Sequence, residues 1–348
     1  MWFWRWIGRP AAWLIAAVVL ILLGSDLRPW LDGDDFRIST PVVVWRKLER
    51  VWLEVNVAVR DVVPMTRGLQ CLRERDYVCA EFMLTRQLET SPGDRRAIGA
   101  LAIAQQRQSK YADAIVTAEK AFAMGEGNFE LFQAYAVSLE NSGRAADATK
   151  WWTRALGVAP RSYEAHEALV KLLLEQSKPD EALALAVSYD TAMGRRGRRP
   201  VFVAQRLLAE EMLSKQSGQP RRAKAELRIA RLDDHFHAPV KLGESHFAAF
   251  MVDTGATFTT LSRAVLETSK AASTMVDRNA EAKLADGRRL KGARVRLAEL
   301  RVGQIVLRGI EAFVCDTCEL LLGQSSLQNF NLQQLRIEGV DYLIMTER

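Results

Sequence analysis

Histidine and cysteine are scarce in this chain, with four of each in 348 residues. Three of the histidines, His235, His237 and His246, lie close together, but their spacing lacks the acidic or third anchor of a zinc site. They read as surface or linker histidines, and no metal is expected. The cysteines form two local pairs, Cys71 with Cys79 and Cys315 with Cys318. Cys315-Asp316-Thr317-Cys318 has the spacing of half a zinc site, yet no second half exists. An even count in local pairs is what an oxidising compartment allows; unrelated buried thiols are the alternative. No glycine-rich phosphate loop is present, and the hydroxyl-rich Thr257-Phe258-Thr259-Thr260-Leu261-Ser262 has no matching His–Asp arrangement, which argues against a serine nucleophile. Nor is any nucleic-acid module recognisable, although 48 Lys+Arg outnumber 42 Asp+Glu. The spread-out excess reads as a solvated surface, or as proximity to anionic phospholipid, ahead of nucleic acid.

What is present is a chain long enough for two or more domains, with 49% apolar residues to build their cores. From Pro10 to Ser25 no residue is charged. A helix of that length spans ~24 Å, a little short of a ~30 Å hydrocarbon core. Trp2, Trp4, Trp6 and Trp13 suit an interfacial belt, and Arg5 and Arg9 suit snorkelling. Leu22 and Leu23 occupy the places where a signal-peptide cleavage site needs small residues, so residues 1–25 are expected to be an uncleaved transmembrane anchor. The positive-inside bias is weak, because Arg28 and Arg37 come after the span as Arg5 and Arg9 precede it. Residues 26–60 read as a linker and a juxtamembrane amphipathic helix. Trp45, Leu48, Trp52, Val55, Val59 and Val62 recur at steps of three and four, either as a heptad seam or as a helix capping a repeat stack.

Over 61–237 a 34-residue period dominates. Its clearest unit is 129–162, where Ala136, Ala148 and Ala155 allow close helix approach, Gly143 opens the turn and Pro160 stops the second helix. Equivalent places hold Ala102, Tyr111, Ala114 and Ala121 in 95–128, Gly68, Tyr77, Ala80 and Pro92 in 61–94, and Pro179 and Ala182 in 163–196. A looser fifth unit, about 204–237, has Gly218, Ala223 and Ala230. The set resembles the tetratricopeptide family, which implies an α-helical solenoid with a concave face for a protein partner. In that hairpin Cys71 and Cys79 would flank a turn, where a disulfide is feasible. The basic stretch TAMGRRGRRP, 191–200, reads as an exposed loop.

After 237 short alternating apolar runs with glycine turns replace the helical pattern, so 238–348 is expected to be an antiparallel β domain. Within it Phe250-Met251-Val252 runs into Asp253-Thr254-Gly255-Ala256. A second hairpin carries Ala285-Asp286-Gly287 at its tip, and Leu321-Leu322-Gly323 comes later. This ordered set resembles the retropepsin-like aspartic proteases, more closely their bacterial single-lobe members. The resemblance covers 238–348 and implies an all-β, closed-barrel acid-protease lobe. Peptide hydrolysis in that family needs two carboxylates sharing one proton, one serving as acid and the other as base. One lobe supplies only Asp253, so the resemblance implies a homodimer with both Asp253 residues at its axis. Thr254 would then bond across the two loops, Gly255 and Ala256 would keep the loop tight, Leu322 and Gly323 would support it from behind, and the hairpin around Gly287 would act as a flap. The disulfide is the preferred state of Cys315 and Cys318, in a loop that borders the substrate pocket in such folds. Retroviral relatives place an Asp and an Arg where this chain has Thr257 and Gln324, and bacterial ones carry Met-Ser-Phe-Leu where it has Gln324-Ser325-Ser326-Leu327. These departures bear on dimer strength; a weak dimer would be a switch, raised by membrane tethering or by the heptad seam.

The sequence therefore leads to a multidomain α + β protein: anchor, solenoid, protease lobe. The expected function is a cofactor-free aspartic endopeptidase acting on protein or peptide substrates. It would sit in the bacterial inner membrane by a single pass, with the bulk of the chain in the periplasm, where it would process envelope proteins. The competing expectation is a catalytically inactive scaffold, with the repeats binding partners and the β domain serving as a dimerisation or peptide-binding module.

Overall fold

A computed structural model describes residues 64–216, 225–283, 287 and 289–348. The expected anchor over 1–25 and the heptad seam over 45–62 lie outside the described residues, as do Ala285 and Asp286 of the expected flap. Among the described residues no helix is long and apolar enough to cross a membrane.

Eight helices pair into four hairpins: α1 (Pro64–Arg73) with α2 (Tyr77–Thr90), α3 (Arg95–Arg107) with α4 (Tyr111–Ala123), α5 (Phe129–Asn141) with α6 (Ala145–Val158), and α7 (Tyr163–Glu175) with α8 (Pro179–Gly194). The 34-residue repeat is written into the backbone. Asp94, Asn128 and Ser162 sit at the starts of α3, α5 and α7, and each side chain accepts a hydrogen bond from the amide three residues on, at 3.1, 2.9 and 3.2 Å. These caps satisfy amide groups that a helix start leaves unpaired. The corner inside each hairpin uses a left-handed residue at the same place: Arg75, Ser109, Gly143 and Ser177, with φ between 57° and 76°. Alanines close the hairpins, with Ala102, Ala118, Ala121, Ala136, Ala148 and Ala155 all fully buried or nearly so. Cys71 and Cys79 are disulfide-bonded across the first corner, with Cα atoms 5.8 Å apart.

The period stops after α8. A further helix, α9 (Val203–Gln216), comes next, but the described residues 225–237 of the expected fifth unit are not helical. Ala230 lies in strand β1 (Glu226–Ala230), while Gly218 and Ala223 fall outside the described residues. The reason is legible in the burial. Leu227 and Ile229 are buried while Glu226 and Arg228 face outward, a period of two that suits a sheet. Among the described residues the first strand thus starts at 226, ahead of the expected 238.

Among the described residues the strands form two sheets. In the smaller, β1 pairs antiparallel with β10 (Val340–Glu347), which pairs with β9 (Phe330–Ile337). The larger runs in the order β2 (His237–Leu242), β3 (Ala248–Val252), β8 (Leu321–Leu322), β4 (Thr259–Ser262), β7 (Ile305–Cys315), β6 (Arg289–Val302) and β5 (Ser273–Lys283). Strand β2 also pairs with β6, so six of these strands form a closed circuit of hydrogen bonding, from which β5 extends. Phe250, Leu261, Leu297, Leu300, Ile305 and Leu322 fill its interior.

Solenoid and β region share their cores. Helix α8 is buried over thirteen of its sixteen residues, because α7 covers one face and the β region another. Ala184 of α8 belongs to the β core, whereas Leu232, Phe247 and Val340 of the β region belong to the helical core. Polar contacts add to this. Arg206 of α9 donates to the Phe247 carbonyl at 2.7 Å, and Glu210 accepts from the Phe247 amide at 3.1 Å.

Candidate active site

Asp253 stands where β3 ends, half-buried, in a loop gripped from both sides. Strand β8 is wedged between the strands that enter and leave this loop. It runs parallel to β3, pairing Met251 with Leu321 and Val252 with Leu322, and antiparallel to β4 through Thr260 and Leu321. The Asp253 amide donates to the Leu322 carbonyl at 3.1 Å, and the Ala256 amide to the Asp253 carbonyl at 3.3 Å. The Gly255 amide donates to Asp253 Oδ1 at 2.9 Å, which aims one carboxylate oxygen and leaves the other unengaged by that contact. A Cβ on Gly255 would stand 3.3 Å from that oxygen, so the glycine leaves the carboxylate room. Thr254 and Gly255 are exposed, whereas Leu322 is fully buried behind them.

Gly323 is under the tightest constraint in the site. A Cβ there would lie 2.2 Å from the Phe258 carbonyl oxygen and 2.8 Å from that of Ala256, so only glycine lets the two loops touch. The residues just after it, a departure from the family pattern, also hold the loop. Gln324 donates from its backbone amide to the Ala256 carbonyl at 2.8 Å and from Nε2 to the Thr254 carbonyl at 2.9 Å. Ser325 donates its amide to the Thr257 carbonyl at 3.0 Å, and its Oγ accepts from the Thr259 amide at 2.9 Å. Thr259 Oγ1 and Ser326 Oγ, both fully buried, share a 2.6 Å hydrogen bond. From sequence, 324–326 read as a departure that weakens a dimer. In the structure they form a scaffold within one chain, and the matching run of hydroxyl residues at 257–262 is the signal for it.

The two strands of the expected flap, β5 and β6, pair down to Lys283 and Arg289, and Gly287 lies at the tip with φ +85°, a conformation that favours glycine. Cys315 and Cys318 are disulfide-bonded, closing the loop between β7 and β8. Arg263 Nε donates to Asp316 of that loop at 2.8 Å. Among the described residues no cluster of three or more His, Cys, Asp or Glu could hold a metal ion.

One expectation needs correcting. His235 is exposed, and His246 is exposed beside Glu210 at 2.8 Å, but His237 is not a surface or linker residue. It lies in β2, opposite Met251, and is 1% exposed. Neither ring nitrogen has a hydrogen-bond partner. Burial, reinforced by Arg195 and His235 nearby, pushes its pKa down to about 4, so its neutral form prevails near neutrality.

Residues 239–329 match the family described as gag-polyprotein putative aspartyl protease. Among solved structures, parts of the chain are similar to a retropepsin-like aspartic protease from Rickettsia conorii, with 24% identity over 36% of this chain and 91% of that one and a TM-score of 0.28. Other parts are similar to YrrB, a TPR protein with an unusual peptide-binding site, with 17% identity over 49% of this chain and 93% of that one and a TM-score of 0.34. A thermophilic TPR protein in Thermus thermophilus gives 16% identity, 50% and 92% coverage and a TM-score of 0.32. No curated protein matches the chain. The span that matches the putative aspartyl protease family contains the wedged Asp-Thr-Gly loop, and it follows a region of repeated helical hairpins.

Proposed function

We propose that this chain is an aspartic endopeptidase that works as a homodimer, each subunit contributing one Asp253. The observation that carries the reading is the loop itself. Its carboxylate is aimed by the Gly255 amide and braced from beneath by Leu322, Gly323 and Gln324, yet a single chain brings only one such loop. Two carboxylates sharing a proton make a general acid and a general base, which a lone aspartate does not. In the dimer one carboxylate takes a proton from the attacking water while the other protonates the scissile carbonyl oxygen. Closure of the β5–β6 hairpin would exclude bulk water.

A second copy has a surface to meet. Strand β9 is an edge of its sheet, exposed along nearly its whole length, and it presents Leu332, Leu335 and Ile337 at 38, 40 and 36% exposure. An exposed apolar edge of this length invites pairing with another strand. The two disulfides favour an oxidising compartment, consistent with a periplasmic location. The uncharged run from Pro10 to Ser25 supports an anchor in the inner membrane, and tethering would restrict substrates to proteins at that face. Selection of those substrates falls to the solenoid's concave surface.

The test is digestion of a diverse peptide library by the purified chain and by its Asp253→Ala variant, from acid to neutral pH, with new termini read by mass spectrometry. Cleavage by the native chain alone supports the proposal. Equal cleavage by both removes Asp253 from the chemistry. No cleavage by a protein shown to be dimeric favours the scaffold.

A further inference from the structure

The solenoid does more than stand behind the β domain. Where α8 ends, Arg195 reaches a 280 Å³ pocket whose other walls belong to the β domain: His237 of β2, Ala249 and Met251 of β3, Ser262 at the end of β4, and the disulfide loop at Cys318 and Glu319. Arg195 is exposed and makes no ion pair or side-chain hydrogen bond among the described residues, unlike its neighbour Arg196, which meets Asp233 at 3.6 Å. His237 beneath it is buried with both ring nitrogens unpartnered, a costly arrangement for a structural residue.

The pocket is placed to serve the Asp253 loop. Side chains alternate along a strand, so Ala249 and Met251 share a face of β3, and that face leads to Asp253. Phe250, on the opposite face, is fully buried in the core. Two residue steps take the chain from Met251 to Asp253, about 7 Å, less than the reach of one peptide unit and its side chain. A peptide lying over Asp253 therefore has a neighbouring side chain within reach of this pocket. Arg195 and Glu319 are the two charged side chains of its lining. Arg195 offers an unpaired guanidinium, which binds carboxylates through two parallel hydrogen bonds. Glu319 is the opposing charge at the rim. It is exposed to solvent, and its backbone is pinned by Thr260 Oγ1 donating to its carbonyl at 2.6 Å.

We propose that the helical solenoid completes a specificity pocket of the protease domain, in which Arg195 receives the carboxylate of an aspartate or glutamate side chain near the scissile bond. This rests on the peptidase reading above and adds to it a substrate class and a residue from outside the protease domain. Arg195 is a specificity residue and takes no part in the bond-breaking step. Its removal leaves the Asp253 loop intact.

The experiment has two arms on the full chain. In the first, library cleavage is profiled for the native chain, Arg195→Ala and Arg195→Lys. Native protein should enrich Asp and Glu over Asn and Gln about tenfold at one position beside the cut. Arg195→Ala should lose that enrichment while still cleaving neutral peptides, and Arg195→Lys should keep part of it. Cleavage without acidic enrichment, or enrichment that survives Arg195→Ala, overturns the pocket while leaving the peptidase standing. The second arm needs no activity. The His237 ring resonance of the Asp253→Asn chain is tracked by NMR while N-acetyl-aspartate amide or N-acetyl-asparagine amide is added. A saturable shift with the acid only, absent in Arg195→Ala, supports the pocket even if no peptide is cleaved. No shift, or equal shifts with both probes, overturns it.

Discussion

Two regions of this molecule are held together in contrasting ways. In the solenoid the same devices recur: caps at Asp94, Asn128 and Ser162, and left-handed corners at Arg75, Ser109, Gly143 and Ser177. In the Asp253 loop every support is used once: Gly323 against Phe258, Thr259 against Ser326, and Gln324 against Thr254. Repetition makes each contact replaceable, since neighbouring hairpins carry the same features. The Asp253 loop has no such redundancy, because a single displaced support moves the carboxylate itself. The contrast sets where substitutions should be felt, and by how much.

The largest effect expected is that of Gly323→Ala. The new methyl must displace backbone at Phe258 and Ala256, so the variant should lose about 3 kcal/mol by chemical denaturation and all measurable cleavage. A variant as stable as the native chain would show that the loops are less closely joined than the contacts imply. Next comes a pH effect seated in the solenoid. His166 is 1% exposed, and burial pushes its pKa down to about 4, against the opposing pull of its hydrogen bond to the Ser162 carbonyl at 2.7 Å. The folded state resists protonation that the unfolded chain accepts near pH 6.5. The stability this site contributes is therefore full above pH 6.5 and drains as pH falls towards 4. Denaturation of the native chain should show that loss, and His166→Gln should show it less steeply. Equal slopes for both would remove His166 as the cause.

Thr259→Val sharpens the contrast within the site. It strands the buried Ser326 hydroxyl and should cost about 2 kcal/mol, with a fall in kcat larger than any change in KM. An effect confined to KM would mean that this pair shapes substrate binding rather than the carboxylate. The smallest effect belongs to a repeated element. Ser162→Ala removes one cap of several and should cost about 1 kcal/mol without altering cleavage of short peptides. A loss of several kcal/mol there would break the distinction between repeated and unique supports.

Much of this was legible in the sequence, for identifiable reasons. The hairpins could be read because Gly143, Pro160 and the alanines recur at a fixed spacing, and the β hairpins around Asp253-Thr254-Gly255 because short alternating apolar runs are punctuated by glycine turns. The end of the repeat was not legible. Ala230 fits a helix consensus as well as a strand, and only pairing with β10, more than a hundred residues later, decides between them. The same limit hid the burial of His237, which depends on α8 and β3 closing over β2. It also hid the scaffold role of Gln324, Ser325 and Ser326, since their partners at 254–259 are distant in sequence. Arg195 looked like one cation in a basic loop, and only the packing of α8 brings it to the pocket.

The central claim, two chains sharing one site with a single Asp253 from each, is tested most directly by mixing. Native chain and Asp253→Ala chain are combined at constant total concentration, allowed to exchange subunits, and assayed on one peptide. If the active unit is the dimer, activity should vary as the square of the native fraction, so an equal mixture retains about one quarter of the native rate. Activity falling in simple proportion, to about one half in the equal mixture, would mean that one Asp253 suffices, and the shared carboxylate pair would be contradicted.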